Sequence, residues 1–347
     1  MPIFRLVIRT TILLCLTLAG FAQTWVAQPS GATASLRGIS AVNDKVAWAS
    51  GTGGTFLRTI DGGATWHAGV VPGAAKLDFR GIQAFSPERA ILMSSGEGAL
   101  SSIYGTEDAG AHWKLLFMNS DPKGFYDSIA FTDARRGMVF GDPVEGRFVI
   151  LITSDGGKTW TRTGFPASPA GEGAFAASNT ALVIRGPDAW VATGGIGGSR
   201  AGRLSSNGEH CCKLAQLPIR HEADAAGVFS IAFSDALHGI AVGGDYSKPA
   251  ESMHNVAITN DGGITWTEPK GAHPRGYRSA VAWLPQQKIF LTTGTTGSEI
   301  SRDNGQNWTA FDDSAWNALS VSPNGACWAV GPKGRIAKLA FDVPAKP

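Results

Sequence analysis

The chain has 347 residues, among them 45 Gly and 11 Trp, and only 17% of it is charged. Ordinary soluble domains hold about 7% Gly and about 25% charged residues. Combined with 43% hydrophobic content, this excludes a helical bundle and a disordered chain, and suits short strands joined by tight turns.

The first predicted element is a signal peptide over residues 1–22. Arg5 and Arg9 precede an apolar run from Thr11 to Ala19, and Gly20, Phe21 and Ala22 form a small-x-small site ahead of Gln23. The run is too short for a stable bilayer anchor, and Cys15 lacks the small neighbours of a lipoprotein site. The expectation is Sec-type export to the periplasm or the exterior, with one domain over 23–347. Removing the segment takes two Arg and no acid, leaving 28 basic against 28 acidic residues. A neutral chain argues against nucleic-acid binding and gives no reason for adsorption to anionic membranes.

Beyond Gln23 the chain repeats itself. Six segments align: Thr59–Trp66 (TIDGGATW), Thr106–Trp113 (TEDAGAHW), Thr153–Trp160 (TSDGGKTW), the degenerate Ser205–Cys212 (SSNGEHCC), Thr259–Trp266 (TNDGGITW) and Ser301–Trp308 (SRDNGQNW). The pattern reads as a hairpin turn. Its Asp (Asp61, Asp108, Asp155, Asp261, Asp303) accepts bonds from turn N–H groups. Its Gly supplies positive φ, and its Trp (Trp66, Trp113, Trp160, Trp266, Trp308) leads into a strand and packs between sheets. These are structural roles, not catalytic ones.

Two more strand-like runs precede the strand that enters each box. In the first unit they are Gly38–Val42 and Val46–Ala49, followed by Thr55–Thr59; in the third, Ser128–Phe131 and Gly137–Phe140, followed by Phe148–Thr153. With the strand after the Trp, each unit has four strands. The last unit (Ala318–Val321, Cys327–Val330, Arg335–Leu339) has no box after it, while Thr24–Ala27 looks like a post-box strand with no box before it. Joining the two closes a ring. The expected fold is all-β: a seven-bladed β-propeller of four-stranded antiparallel blades, with Trp25 in the closing strand.

Long irregular segments all fall on the face opposite the boxes, which is what a binding face looks like in a repeat protein. Aligning the starts of the inner strands puts Arg37, Arg80, Asp127, Phe175, Phe229, Arg278 and Asn317 around the channel mouth. Tyr126, Glu172, Asp142, Asp245 and Tyr277 are placed to join from adjacent loops. Such a ring suits an anionic ligand or a peptide terminus; the same Arg residues paired with acids would instead fill a wet channel. Cys211, Cys212 and Cys327 make a poor disulfide framework, and Cys212 takes the Trp position of the degenerate box, where packing is its expected role. His210 and His221 with these Cys match no metal-ligand spacing, and no nucleotide or haem motif occurs. No cofactor is expected.

The boxes resemble the BNR, or Asp-box, repeat of sialidases, sortilin-type receptors and photosystem II stability/assembly factors. The wider pattern is most similar to the assembly factors: Phe131 to Asp133 through Gly137, Gly141 and Trp160, and Phe233 to Asp235 through Gly239, Gly243 and Trp266. This resemblance implies an exported, cofactor-free propeller that binds partner proteins during membrane-complex assembly. It also implies an arginine patch, to which Arg37, Arg80 and Arg278 correspond in type. The rival expectation is a sialidase-type glycoside hydrolase, with those three Arg as a carboxylate triad beside Tyr277, Glu172 and Asp127. A missing Arg-Ile-Pro segment and a box in almost every unit count against it.

Overall fold

The computed structural model describes residues 22–164, 167–207 and 214–341; the expected signal peptide up to Phe21, together with His210, Cys211 and Cys212, lies outside them. Seven antiparallel sheets stand in sequence around a ring. Blade one runs Leu36–Ala41, Ala47–Gly51, Thr55–Thr59 and His67–Val70 from channel to rim, and blades two, three, four and six repeat this order. The seventh sheet takes its inner three strands from Ala318–Val321, Cys327–Val330 and Ile336–Phe341, and its outer one from Gln23–Gln28. That strand pairs in unbroken register, Gln23 opposite Phe341 through Gln28 opposite Ile336.

Blade five departs from the four-strand expectation. After Val256–Thr259 its outer strand shrinks to one bridge between Ile258 and Thr267. Pro269 follows two residues on and has no N–H to continue the ladder. Among the described residues, blade four has Ala215–Gln216 on its rim.

The core lies between blades, in seven apolar wedges. Box Trp residues contribute to it, Trp113 meeting Phe56 of blade one at 5.0 Å and Trp266 meeting Phe233 at 6.1 Å. Larger anchors come from the second strands, where Trp48, Trp190 and Trp328 are among the most buried side chains. Each places its indole N–H on an acceptor in another strand or blade: Ser86 O, Gly262 O and Gln28 Oε1 respectively. Cys327 is buried between blades six and seven, where desolvation pushes its thiol pKa up and leaves it a packing group.

Within each complete box one hydrogen-bond pattern recurs. Thr59 Oγ1 donates to Asp61 at 2.8 Å and accepts the Gly63 N–H at 2.9 Å. Thr153 repeats this with Asp155 and Gly157, and Ser301 with Asp303 and Gly305. Two successive residues then take left-handed φ: Gly62 and Gly63, but Ala109 and Gly110 in blade two, and Asn304 and Gly305 in blade six. The turn geometry therefore persists where the first Gly is replaced.

These bonds favour the ionised aspartate. The Thr159 hydroxyl and N–H hold Asp155 down to about 2, and the His112 N–H and side chain do the same for Asp108. A carboxylate depressed in the folded state stabilises above its unfolded pKa and loses that contribution as pH falls through the folded one. Thermal stability is therefore expected to fall between about pH 4 and about pH 2. Asp155→Asn should flatten part of that slope in melting curves taken across the range.

Candidate functional site

Each inner strand starts at the loop face. In blades one, two, three and five it starts with a bulge, between Leu36 and Gly38, Phe79 and Gly81, Tyr126 and Ser128, and Val228 and Ser230. The skipped residues are Arg37, Arg80, Asp127 and Phe229. A bulge adds one unpaired residue and re-aims its side chain, and here all four line the channel mouth. The mouth is a cavity of about 530 Å³, which Asp142, Phe175, Tyr246, Tyr277 and Asn317 also line.

Four expected members are elsewhere. Arg278 is one residue out of register: Ser279 takes the channel position, and the Arg278 side chain turns into the blade, fully buried. It bonds Thr296 Oγ1 at 2.8 Å and pairs with Glu299 at 3.0 Å. Tyr126 precedes its bulge and so points into the wedge between blades two and three, beside Ile91 and Ile129. Glu172 is buried against Arg200 and Thr193, with Arg200 Nε on its Oε1 at 2.7 Å. Asp245 caps its own turn by accepting the Ser247 N–H at 2.8 Å.

Blade four also breaks the pattern. Its inner strand begins only at Leu182, and the preceding segment is shared between two cavities. Ala174–Ala177 line the loop-face mouth and Ser178–Thr180 the cavity on the box face. Asn179 bonds both backbone groups of Ile129, at 2.7 and 2.9 Å, and Arg80 reaches the Ala176 carbonyl at 3.2 Å. The mouth thus has a floor.

One arc of the mouth is cationic. Arg80 gives its Nε to Asp78 at 2.7 Å, so its charge is partly answered. Among the described residues no carboxylate is hydrogen-bonded to Arg37, and its Nε is buried without a partner; burial first, then Arg80, pull its pKa below the ordinary value, which the nearby Asp78 only partly offsets. The opposite arc is aromatic. Phe175 and Phe229 stack at 3.9 Å, Tyr277 meets Phe229 edge-on at 4.8 Å, and half-exposed Tyr246 stands over them. Tyr246 was invisible to the strand alignment because it sits in the long loop after Gly239–Asp245.

Asp127 stands between the arcs, 1% exposed; among the described residues no well-formed hydrogen bond reaches either oxygen, although Arg80 and the Asp142 and Ala176 N–H groups lie near enough to favour its charged form. Burial, then the neighbouring Asp142, push its pKa well above the usual carboxylate range. A carboxyl raised in the folded state costs stability progressively as pH rises from its unfolded value of 3.8. Asp127→Asn is therefore expected to melt above the parent at pH 7, with the gap closing as pH falls toward about 4. Paired calorimetric scans at the two pH values check this.

No protein-family model matches the chain, and no curated protein matches it in sequence. Solved structures do. YCF48 bound to a D1 peptide superposes with a TM-score of 0.64 at 15% identity, over 94% of this chain and 99% of that one. The fold is that of YCF48. YCF48 from Cyanidioschyzon merolae gives 0.62 at 15% identity, over 90% and 98% of the two chains. The WD40 propeller domain of Doa1 gives 0.60 at 13% identity, over 92% and 97%. At these identities what is shared with YCF48 is architecture, and the residues of the mouth have to be argued on their own.

Proposed function

We propose that this chain is a non-catalytic protein-binding propeller that takes a peptide segment of a partner at its loop-face mouth, in the manner of an assembly factor. The observation that carries the reading is Arg37: a guanidinium that no carboxylate of the described residues hydrogen-bonds, beside Arg80, in a floored cavity faced with aromatic rings. A carboxylate supplied by a partner satisfies that group, and the rings offer rigid apolar surface of the kind that anchors interfaces. The fold-related YCF48, whose structure holds a D1 peptide, supports a peptide as the type of ligand. The amino-terminal pattern over residues 1–22 supports an exported location for this binding.

A glycosidase of sialidase type needs three Arg around one carboxylate and a Tyr paired with a Glu. Here Arg278 is committed to Glu299 and Glu172 to Arg200, so the residues proposed for that chemistry are not assembled.

Arg37→Glu tests the binding reading. It reverses a charge that no carboxylate of the described residues hydrogen-bonds, so the melting temperature should stay close to the parent's. Capture of the partner from the native host's envelope should weaken at least about tenfold, ~1.4 kcal/mol. Equal capture by parent and variant, both folded, removes the mouth as the binding site.

A further inference from the structure

A second depression adjoins the mouth. This groove, of about 530 Å³, shares Asp142, Ala174 and Phe175 with the mouth cavity and continues past Gly171, Gly173, Gly194 and Gly195 toward Asp224. Its floor is bare backbone for a steric reason. A Cβ on Gly194 would fall 2.3 Å from the Phe175 ring and 2.7 Å from Gly227 Cα, and one on Gly195 2.4 Å from Gly171 O. Such contacts leave no room for side chains, and the groove stays open to an extended segment. Of its ionisable groups, Glu172 is already neutralised by Arg200, which leaves exposed Lys123 and Asp224 at the rim and Asp142 at the junction.

Two carboxyls meet at that junction, and among the described residues no cation forms an ion pair with either. Asp142 Oδ1 accepts the Ala174 N–H at 2.7 Å, and no hydrogen bond from the described residues reaches its other oxygen. Among the described residues no well-formed hydrogen bond reaches either oxygen of Asp127 behind it, which has only the Asp142 and Ala176 N–H groups nearby. Arg80, the cation acting on Asp127, already gives its Nε to Asp78 and a second nitrogen to Ala176 O. Stacked Phe175 and Phe229 stand alongside, with Tyr246 edge-on to them at 6.5 and 6.1 Å. Adjacent acids repel each other unless a proton or a cation separates them. Aromatic faces add quadrupole attraction for an organic cation and cover its methylene stem.

We infer that the Asp127–Asp142 corner receives a basic side chain, lysine or arginine, of the partner's segment, which leaves the mouth along the glycine-floored groove. The inference rests on the peptide-binding reading above and adds a cation to the anion that Arg37 selects. The ligand is then a segment carrying both charges a short distance apart, with the basic residue on the groove side.

The probe is a displayed library of random heptapeptides with free C-terminal carboxylates, selected on the folded protein in EDTA to keep divalent metals out of the corner. Peptides retained by the parent should be enriched in Lys or Arg at one position. By fluorescence anisotropy, replacing that residue with norleucine should weaken binding to the parent at least about tenfold. The same replacement should cost less than about threefold against Asp142→Asn or Asp127→Asn, since the cation's partner is already gone. Asn at 142 keeps a carbonyl for the Ala174 N–H, and Asn at 127 replaces a buried carboxyl that has no well-formed hydrogen bond, so both variants should fold. Retained peptides without a basic preference overturn the inference and leave the peptide-binding reading standing. So does a norleucine penalty of equal size in parent and variants. If peptides are held equally by Arg37→Glu, or none is held by the parent, the peptide-binding reading falls as well.

Discussion

Trp190→Ala is expected to cost about 4 kcal/mol of folding stability, the range for removing a buried Trp from a core. The residue is 1% exposed and stacks on Phe233 at 4.1 Å. Its N–H reaches Gly262 O of the next blade at 2.9 Å, and Arg203 lies over its ring at 5.6 Å. Truncation therefore opens a cavity, strips the Gly262 carbonyl of its donor and leaves Arg203 without its ring. Relaxation should be limited because its neighbours in this wedge, Ile231, Ala241, Ala257 and Trp266 among them, are themselves fixed in a close-packed core shared by two blades. Trp190→Phe keeps most of the ring but not the N–H, and should cost about 2 kcal/mol. Urea titrations of the three proteins measure both differences. A loss below about 1 kcal/mol for Trp190→Ala would mean that the wedge collapses around the gap.

What could be read in advance from the residues was what repeats with constant spacing. The boxes are legible because each needs the same hydroxyl, carboxylate and pair of left-handed residues within eight positions, as at Thr59–Trp66. Blade number and closure follow from counting strands, since Gln23–Gln28 has no other sheet to join. The mouth is harder, because its residues sit at bulges. A strand start with the bulge and one without differ by one residue, and the register of blade six runs on without a shift, which is how Arg278 takes the place that belongs to Ser279. Blade four adds a second obstacle: Ala174–Thr180 is irregular, so nothing in its pattern says that Phe175 should reach Phe229. Glu172 was misplaced for a different reason. Its partner Arg200 lies 28 residues away across a loop, and a pairing of that length leaves no periodic trace.

Gln28→Ala should be the most damaging single change in the closing strand, costing about 3 kcal/mol. The strand alignment drew attention to Trp25, which does bond Ser298 at 2.9 Å and meet Trp316 at 5.4 Å. Gln28 makes the more consequential link. Its Oε1 accepts both Trp66 Nε1 of blade one, at 3.1 Å, and Trp328 Nε1 of blade seven, at 3.2 Å. Its Nε2 donates to Gly62 O at 3.0 Å. One amide thus ties the last blade to the first box across the ring's seam. Without it two indole donors lose their acceptor, and Trp328 is fully buried, so water replaces the bond poorly there. Gly63 shares the constraint: a Cβ there would lie 2.0 Å from Gln28 Oε1, at a residue whose φ is already +91°. Gly63→Ala should therefore displace Gln28 and destabilise by a similar amount, and the two changes together should cost far less than their sum. Additive losses in a double-mutant cycle would show that the amide and the glycine act independently and that the seam is held by the backbone ladder from Gln23 to Gln28 alone.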